Sequence, residues 1–132
     1  MTIPKIRAVE DWHEALNAGD ADGLLALSHP DIEVGGPQGA GHGAQLLREW
    51  VDRANIRLEP RRTFHRADTI VVEQRAQWRS ADTGEATGSQ TVASVFVVRD
   101  GKVTSVRRYD ALADALGVTS LDESHEVRAR ST

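Results

Sequence analysis

Apolar positions recur first at helical spacing. After Pro4, the positions Ile6, Val9, Trp12 or His13, and Leu16 stand three or four residues apart and lay one stripe along a helix that ends near Asn17. Asn17-Ala18-Gly19-Asp20 supplies a terminating glycine and a new N-cap, and Ala21 to Ser28 reads as a second short helix carrying Leu24, Leu25 and Leu27. His29-Pro30-Asp31 breaks that helix, and Ile32-Glu33-Val34 is a short strand. The glycine-rich stretch Gly35 to Gly43 reads as a mobile loop, and from Ala44 the positions Leu46, Leu47, Trp50, Val51 and Ala54 are helical again. From Arg57 the period switches to two, which predicts strands over Leu58 to Arg66, Thr69 to Arg79, Gln90 to Arg99 and Lys102 to Asp110. Ala67-Asp68, Ser80 to Glu85 and Asp100-Gly101 have turn chemistry, so the four strands form a meander. Ala111 to Leu116 is a closing helical turn, and Asp122 to Thr132 has no period and reads as frayed.

Three helices followed by an antiparallel meander define an α+β order, with the helices packed on one face of a curved sheet. The predicted organisation is one domain over residues 1–118 and a polar C-terminal tail over 119–132. The cavity between helices and sheet is the natural ligand site.

Composition narrows the function classes. With 16 basic and 20 acidic residues the formal charge is −4, the opposite of a dedicated nucleic-acid binder. The basic strand Arg57, Arg61, Arg62 and Arg66 therefore reads as a solvated or dimer-rim strand, and no nucleic-acid partner is expected. Cysteine is absent, which removes disulfides and thiolate chemistry and fits a reducing compartment. The short apolar runs and the lack of a signal pattern predict a cytoplasmic protein with no membrane partner. His13, His29, His42 and His65 lack close ligand spacing, so no metal and no cofactor are expected. Gly39-Ala40-Gly41-His42-Gly43-Ala44 imitates a dinucleotide fingerprint, but the antiparallel meander that follows is not a Rossmann unit. His42 on the glycine-rich loop can instead reach over a pocket, or remain a solvated loop residue.

Two readings stay open for the acidic end of the last strand and for the polar row of the second. Asp110 either works as an acid or base at a pocket mouth or caps the closing turn. Period two puts Glu73, Arg75 and Gln77 on one face and Val72, Gln74, Ala76 and Trp78 on the other. If the first face is concave it forms the polar end of the cavity; if convex, it is solvated or dimer-facing.

The stretch Ala15 to Leu24, the glycine-rich loop before Ala44, Val98-Arg99-Asp100-Gly101-Lys102-Val103 and Arg107-Arg108-Tyr109-Asp110 resemble the NTF2-like superfamily over about residues 4 to 116. The likeness is to its ketosteroid isomerase and SnoaL-like polyketide cyclase branches. The resemblance implies a cone-shaped α+β barrel, a homodimer through the outer sheet face and a mostly apolar pocket walled by Trp12 and Trp50. It also implies by subtraction: Trp12 stands where isomerases carry the oxyanion-hole tyrosine, Gly36 stands at the base aspartate, and Ser94 falls near the second acid. That disfavours the isomerase mechanism. Likeness to limonene epoxide hydrolases points to Arg75, Gln77 and Asp110 as the catalytic set, with Gln77 replacing an acid; the cyclases match at Asp110 alone. Two function classes follow. One is a cofactor-free acid–base enzyme of cyclase, isomerase or epoxide-hydrolase type, using Asp110, Arg75 and Gln77 and holding a small apolar substrate with Trp12, His42, Trp50, Glu73, Ser94 and Phe96. The other is a non-catalytic ligand-binding or interaction module on the same fold.

Overall fold

A computed structural model describes residues 4–36, 39–54, 56–79, 83 and 85–127, without the side chains of 36, 50–54, 79, 86 and 87. Helix α1 spans Pro4–Asn17 and α2 spans Ala21–Ala26; strands β1 (Ser28–Gly36) and β2 (Gly39–His42) lead to α3 (Ala44–Ala54). The meander follows as β3 (Ile56–Arg66), β4 (Thr69–Arg79), β5 (Ala86–Arg99) and β6 (Lys102–Tyr109), then α4 (Leu112–Thr119), a 3-10 turn at Glu123–His125 and β7 (Glu126–Val127).

The period-two segments pair as antiparallel neighbours, and the Asp100-Gly101 turn has both central φ angles positive, 53° and 76°, as a two-residue hairpin of this twist requires. Asp20 caps α2 by accepting from the Gly23 N–H at 3.0 Å. At the C-terminal end of α1, the Asn17 side chain donates to the Leu58 carbonyl at 2.8 Å and accepts from the Leu58 N–H at 2.9 Å. One amide thus completes an exposed strand edge and fixes α1 against β3.

The sheet order is β2-β1-β6-β5-β4-β3-β7, and among the described residues only the β1–β6 pair is parallel. The sheet curves around α1 but does not close: β2 and β7 remain its edges, so the architecture is an open, curved α+β sheet rather than a complete barrel. One face buries Ile70, Val72, Ala76, Val92, Phe96 and Val106 beneath Val9, Trp12 and Leu16 of α1, Leu24 of α2 and Leu47 of α3. On the other face a smaller cluster of Phe64, Val71, Ala93 and Val95 is covered by Ala115 of α4 and by Leu121. Among the described residues no helix is long and apolar enough to cross a membrane.

Three segments differ from the sequence expectation. The second helix stops at Ala26, and Ser28 to Asp31, read as helix end and breaker, already belongs to β1. Its register against β6 shifts between Ser28 and Glu33, and such an irregular parallel strand has no clean alternation to read. Gly35 to Gly43, read as a mobile loop, is a hairpin in which Val34 pairs with Gly41 and Gly35 with Ala40. Its glycines carry no hydrophobic signal, yet they let neighbours close in: a Cβ on Gly41 would lie 2.5 Å from Leu46 Cδ2. Pro37 and Gln38 of that stretch, most of the Ser80 to Glu85 connector and residues 128–132 lie outside the described residues.

The third difference is the C-terminal segment. Phe64 pairs with Glu126 and Thr63 with Val127, and the Arg62 guanidinium donates to Glu126 at 2.8 Å and to Glu123 at 2.6 Å. Leu121 is only 5% exposed. Through Val127 the stretch read as a frayed tail is therefore part of the sheet. Leu121→Ala should lower the unfolding free energy in urea by about 2–3 kcal/mol, the usual scale for truncating a buried leucine. A change near zero would mean that this segment does not pack.

Candidate functional site

Alternation along each strand decides what the helix-covered face presents. Along β4 it carries Ile70, Val72, Gln74 and Ala76, all buried, then the partly exposed Trp78. Along β5 it runs from buried Phe96, Ser94 and Val92 to exposed Gln90 and Gly88, and along β6 from buried Val106 to half-buried Arg108. The apolar core therefore ends in exposed positions at Gln90 and Gly88, and the polar Gln74 and Ser94 are set into it, with Ala76 and Val92 between them and that end; Arg108, level with Ser94 on β6, is half-buried.

Gln74 and Ser94 form one ladder with His13. His13 is fully enclosed on α1, and its Nδ1 lies 2.8 Å from the Val9 carbonyl. A carbonyl only accepts, so Nδ1 carries the proton and Nε2 is the acceptor. Gln74 Nε2 donates to that acceptor at 2.7 Å, and Ser94 Oγ donates to Gln74 Oε1 at 2.7 Å. Burial lowers the His13 pKa from 6.5 to about 4, against the upward pull of the Val9 bond, so the ladder is uncharged at neutral pH. Beside it Trp12 packs edge-on to Phe96 with ring centroids 5.3 Å apart, and the Trp12 indole N–H donates to Ser28 Oγ at 3.2 Å. Ser28 passes its own proton to the Leu24 carbonyl at 2.8 Å.

Arg108 stands next to the ladder on β6, directly across from Ser94. Its Nε is buried and has no hydrogen-bond partner among the described residues. The adjacent Arg107 points to the outer face, where its Nε donates to Glu33 at 2.7 Å and holds that carboxyl below the usual range.

The structure brings together Trp12, Ser94 and Phe96 of the expected set. It does not bring together Asp110, Arg75 and Gln77. Glu73, Arg75 and Gln77 alternate onto the convex face with Val71, opposite to the helix-covered side, so the concave reading of that row is corrected. Glu73 and Arg75 border an open groove of about 470 Å³ with Arg61, Ser89, Gln90 and Thr91. Asp110 is exposed, one residue past β6, and among the described residues no hydrogen bond or ion pair joins it to Arg75 or Gln77. It does not cap α4 either, since Ala111 holds the N-cap position with no side-chain bond. His42 lies on β2, exposed, with Nε2 3.6 Å from Glu33 on the outer face rather than over the concave side. The Trp50 side chain lies outside the described residues. His13, Gln74 and Arg108 were not among the expected site residues. The signal was present for two of them: a histidine inside the apolar stripe of α1, and a glutamine alternating with Val72 and Ala76.

Comparison with known proteins agrees with this architecture. The sequence profile of the SnoaL-like domain matches residues 9–106. No curated protein matches. Among solved structures, TerC co-crystallized with polyporic acid is 22% identical over 89% of this chain and 99% of its own, with a TM-score of 0.71. A Mycobacterium tuberculosis protein in complex with estradiol-17beta-hemisuccinate is 20% identical over 85% and 97%, at 0.72. An NTF2-like protein from Burkholderia xenovorans is 26% identical over 83% and 90%, at 0.67.

The enclosed His13 gives the ladder a pH signature. The unfolded chain takes up its proton near pH 6.5 and the folded chain only near 4, so the stabilisation is complete above pH 6.5 and is lost as pH falls toward 4. The total loss is about 3 kcal/mol. Denaturation midpoints between pH 6.5 and 5, above the range where the carboxylates titrate, should fall steadily in the wild type and stay nearly level in His13→Gln. An equal slope in both proteins would assign it to another group.

Proposed function

This chain belongs to the SnoaL-like domain family, and from that premise we propose that it binds a small, largely apolar molecule on the helix-covered face of the sheet, at its β6 side, where half-buried Arg108 stands across from Ser94. The observation that carries the reading is one satisfied polar ladder, His13–Gln74–Ser94, set into the apolar core of that face and level with the half-buried Arg108 of the neighbouring strand. Apolar walls with a few convergent polar groups are the usual composition of a small-molecule site. Two structures of the same fold, TerC and the Mycobacterium tuberculosis protein, were obtained with polyporic acid and estradiol-17beta-hemisuccinate, which supports a small-molecule ligand. The reading includes a cytoplasmic homodimer, as the absence of cysteine and the family resemblance suggest.

A cyclase, isomerase or hydrolase reaction is the second reading, favoured by the order Arg108-Tyr109-Asp110 at the end of β6. Within it, Asp110 supplies the acid or base, since His13 Nε2 already accepts from Gln74. Arg75 and Gln77 take no part, because they stand on the opposite face.

Amide and side-chain NMR spectra recorded during titration with cyclic enones, terpene epoxides and polyketide-like aromatics test the site. The expected shifts fall on the Trp12 indole N–H, the Gln74 amide, Ser94 and Arg108. Shifts confined to Glu73, Arg75 and Thr91 would move binding to the outer groove and refute the proposal. Asp110→Asn should leave ligand affinity within about twofold while turnover, measured on the same compounds, drops by about 100-fold or more. Equal turnover in both proteins would remove Asp110 from any chemistry.

A further inference from the structure

The polar inventory of the helix-covered face is unbalanced in charge. Its ladder members are a neutral imidazole, an amide and a hydroxyl, and each already has a partner. The Ser94 proton is committed to Gln74, so its oxygen can offer Arg108 only an acceptor site, and no bond to Arg108 forms. Arg108 adds a positive charge, and no carboxylate of the described residues pairs with it.

Other arginines show how unusual this is. Arg107 is paired with Glu33, Arg62 with Glu123 and Glu126, and Arg48 with Asp22, all near the surface. Arg66 donates to the carbonyls of Thr119 and Ser120. Arg108 is more enclosed than the exposed Arg57 and Arg75, yet its buried Nε meets nothing. A guanidinium donor withdrawn from water without an acceptor is costly, and folded chains rarely keep one unless something outside the chain satisfies it. Its surroundings select that partner. On the same face its register neighbours Val106 and Phe96 are apolar and buried, and the planar fork of an arginine matches two oxygens of a carboxylate better than a single carbonyl.

Building on the proposed pocket, we infer that Arg108 is an anion subsite: the ligand is an apolar acid whose carboxylate, or an equivalent enolate or phenolate oxygen, lies against Arg108 beside Ser94. This goes beyond the binding of an apolar molecule, because it states the charge of the ligand and the residue that reads it. It also assigns Arg108 a binding role and none in proton transfer, since a guanidinium stays protonated throughout.

Calorimetric titration with four acid and methyl-ester pairs, benzoate, biphenyl-4-carboxylate, cyclohexylacetate and decanoate, tests this. For at least one pair the wild type should bind the acid about tenfold or more tightly than the ester, a difference of about 1.4 kcal/mol. Arg108→Met should lose that preference and keep ester affinity within about twofold, and Arg108→Lys should retain part of it. The unliganded Arg108→Met protein should melt no lower than wild type, because no ion pair is lost. Wild-type NMR provides a second readout that needs no variant: the Arg108 Nε–H resonance should move with acid and stay still with ester. If acids and esters bind equally, or if Arg108→Met keeps the preference, the anion subsite is refuted while the pocket stands. If no member of the four pairs binds, the pocket reading falls and the subsite falls with it.

Discussion

Helix α1 can lie on the sheet only if the polar groups it carries into the interface are satisfied there. It brings an indole N–H and an imidazole under the sheet, at Trp12 and His13, and both are enclosed. Ser28 takes the first and Gln74 the second, and each acceptor or donor is itself tied onward, to Leu24 and to Ser94. Leaving one of these groups unpaired would cost about 1–3 kcal/mol, comparable with the gain from a buried aromatic contact. The register between α1 and β4, and through β4 the position of every strand in the meander, therefore depends on this small set of bonds.

The same constraint separates the two faces of the sheet by function. The inner face has one continuous core with a polar ladder set into it. The outer face has a smaller core under α4 and Leu121, and beyond it a row of exposed charged and amide side chains. Its charges compensate each other locally: Arg107 with Glu33, Arg62 with Glu123 and Glu126. Arg108 alternates inward and escapes that compensation. One residue of register along β6 thus separates a neutralised surface arginine from a half-buried one whose Nε has no partner among the described residues.

A reaction needs more than this arrangement supplies by itself. The imidazole is neutral, with its free nitrogen occupied, and Asp110 stands at the exposed rim. The proposed ligand binding asks nothing further of these groups, whereas the proposed chemistry depends on what the ligand brings to the rim. Family resemblance could not decide between these, because one scaffold carries catalytic and non-catalytic members alike.

Much of the architecture was legible in the chain. Helical stripes predicted α1 and α3, the switch to period two predicted β3 to β6, and the Asp100-Gly101 pair predicted a tight hairpin. Segments with few apolar side chains were not: the glycine hairpin of β1 and β2, and β7, are held by backbone bonds that leave no hydrophobic period. Of the proposed site, Trp12, Ser94 and Phe96 could be read from the sequence, whereas Arg108 could not. Alternation by itself determined that Glu73, Arg75 and Gln77 share one face and that Val72, Gln74 and Ala76 share the other. It is symmetric between the two faces of a strand, and α4 covers the second face much as α1 covers the first. Only tertiary packing, in which α1 buried Gln74 with His13 and left Arg75 to solvent, decided which side was the inside.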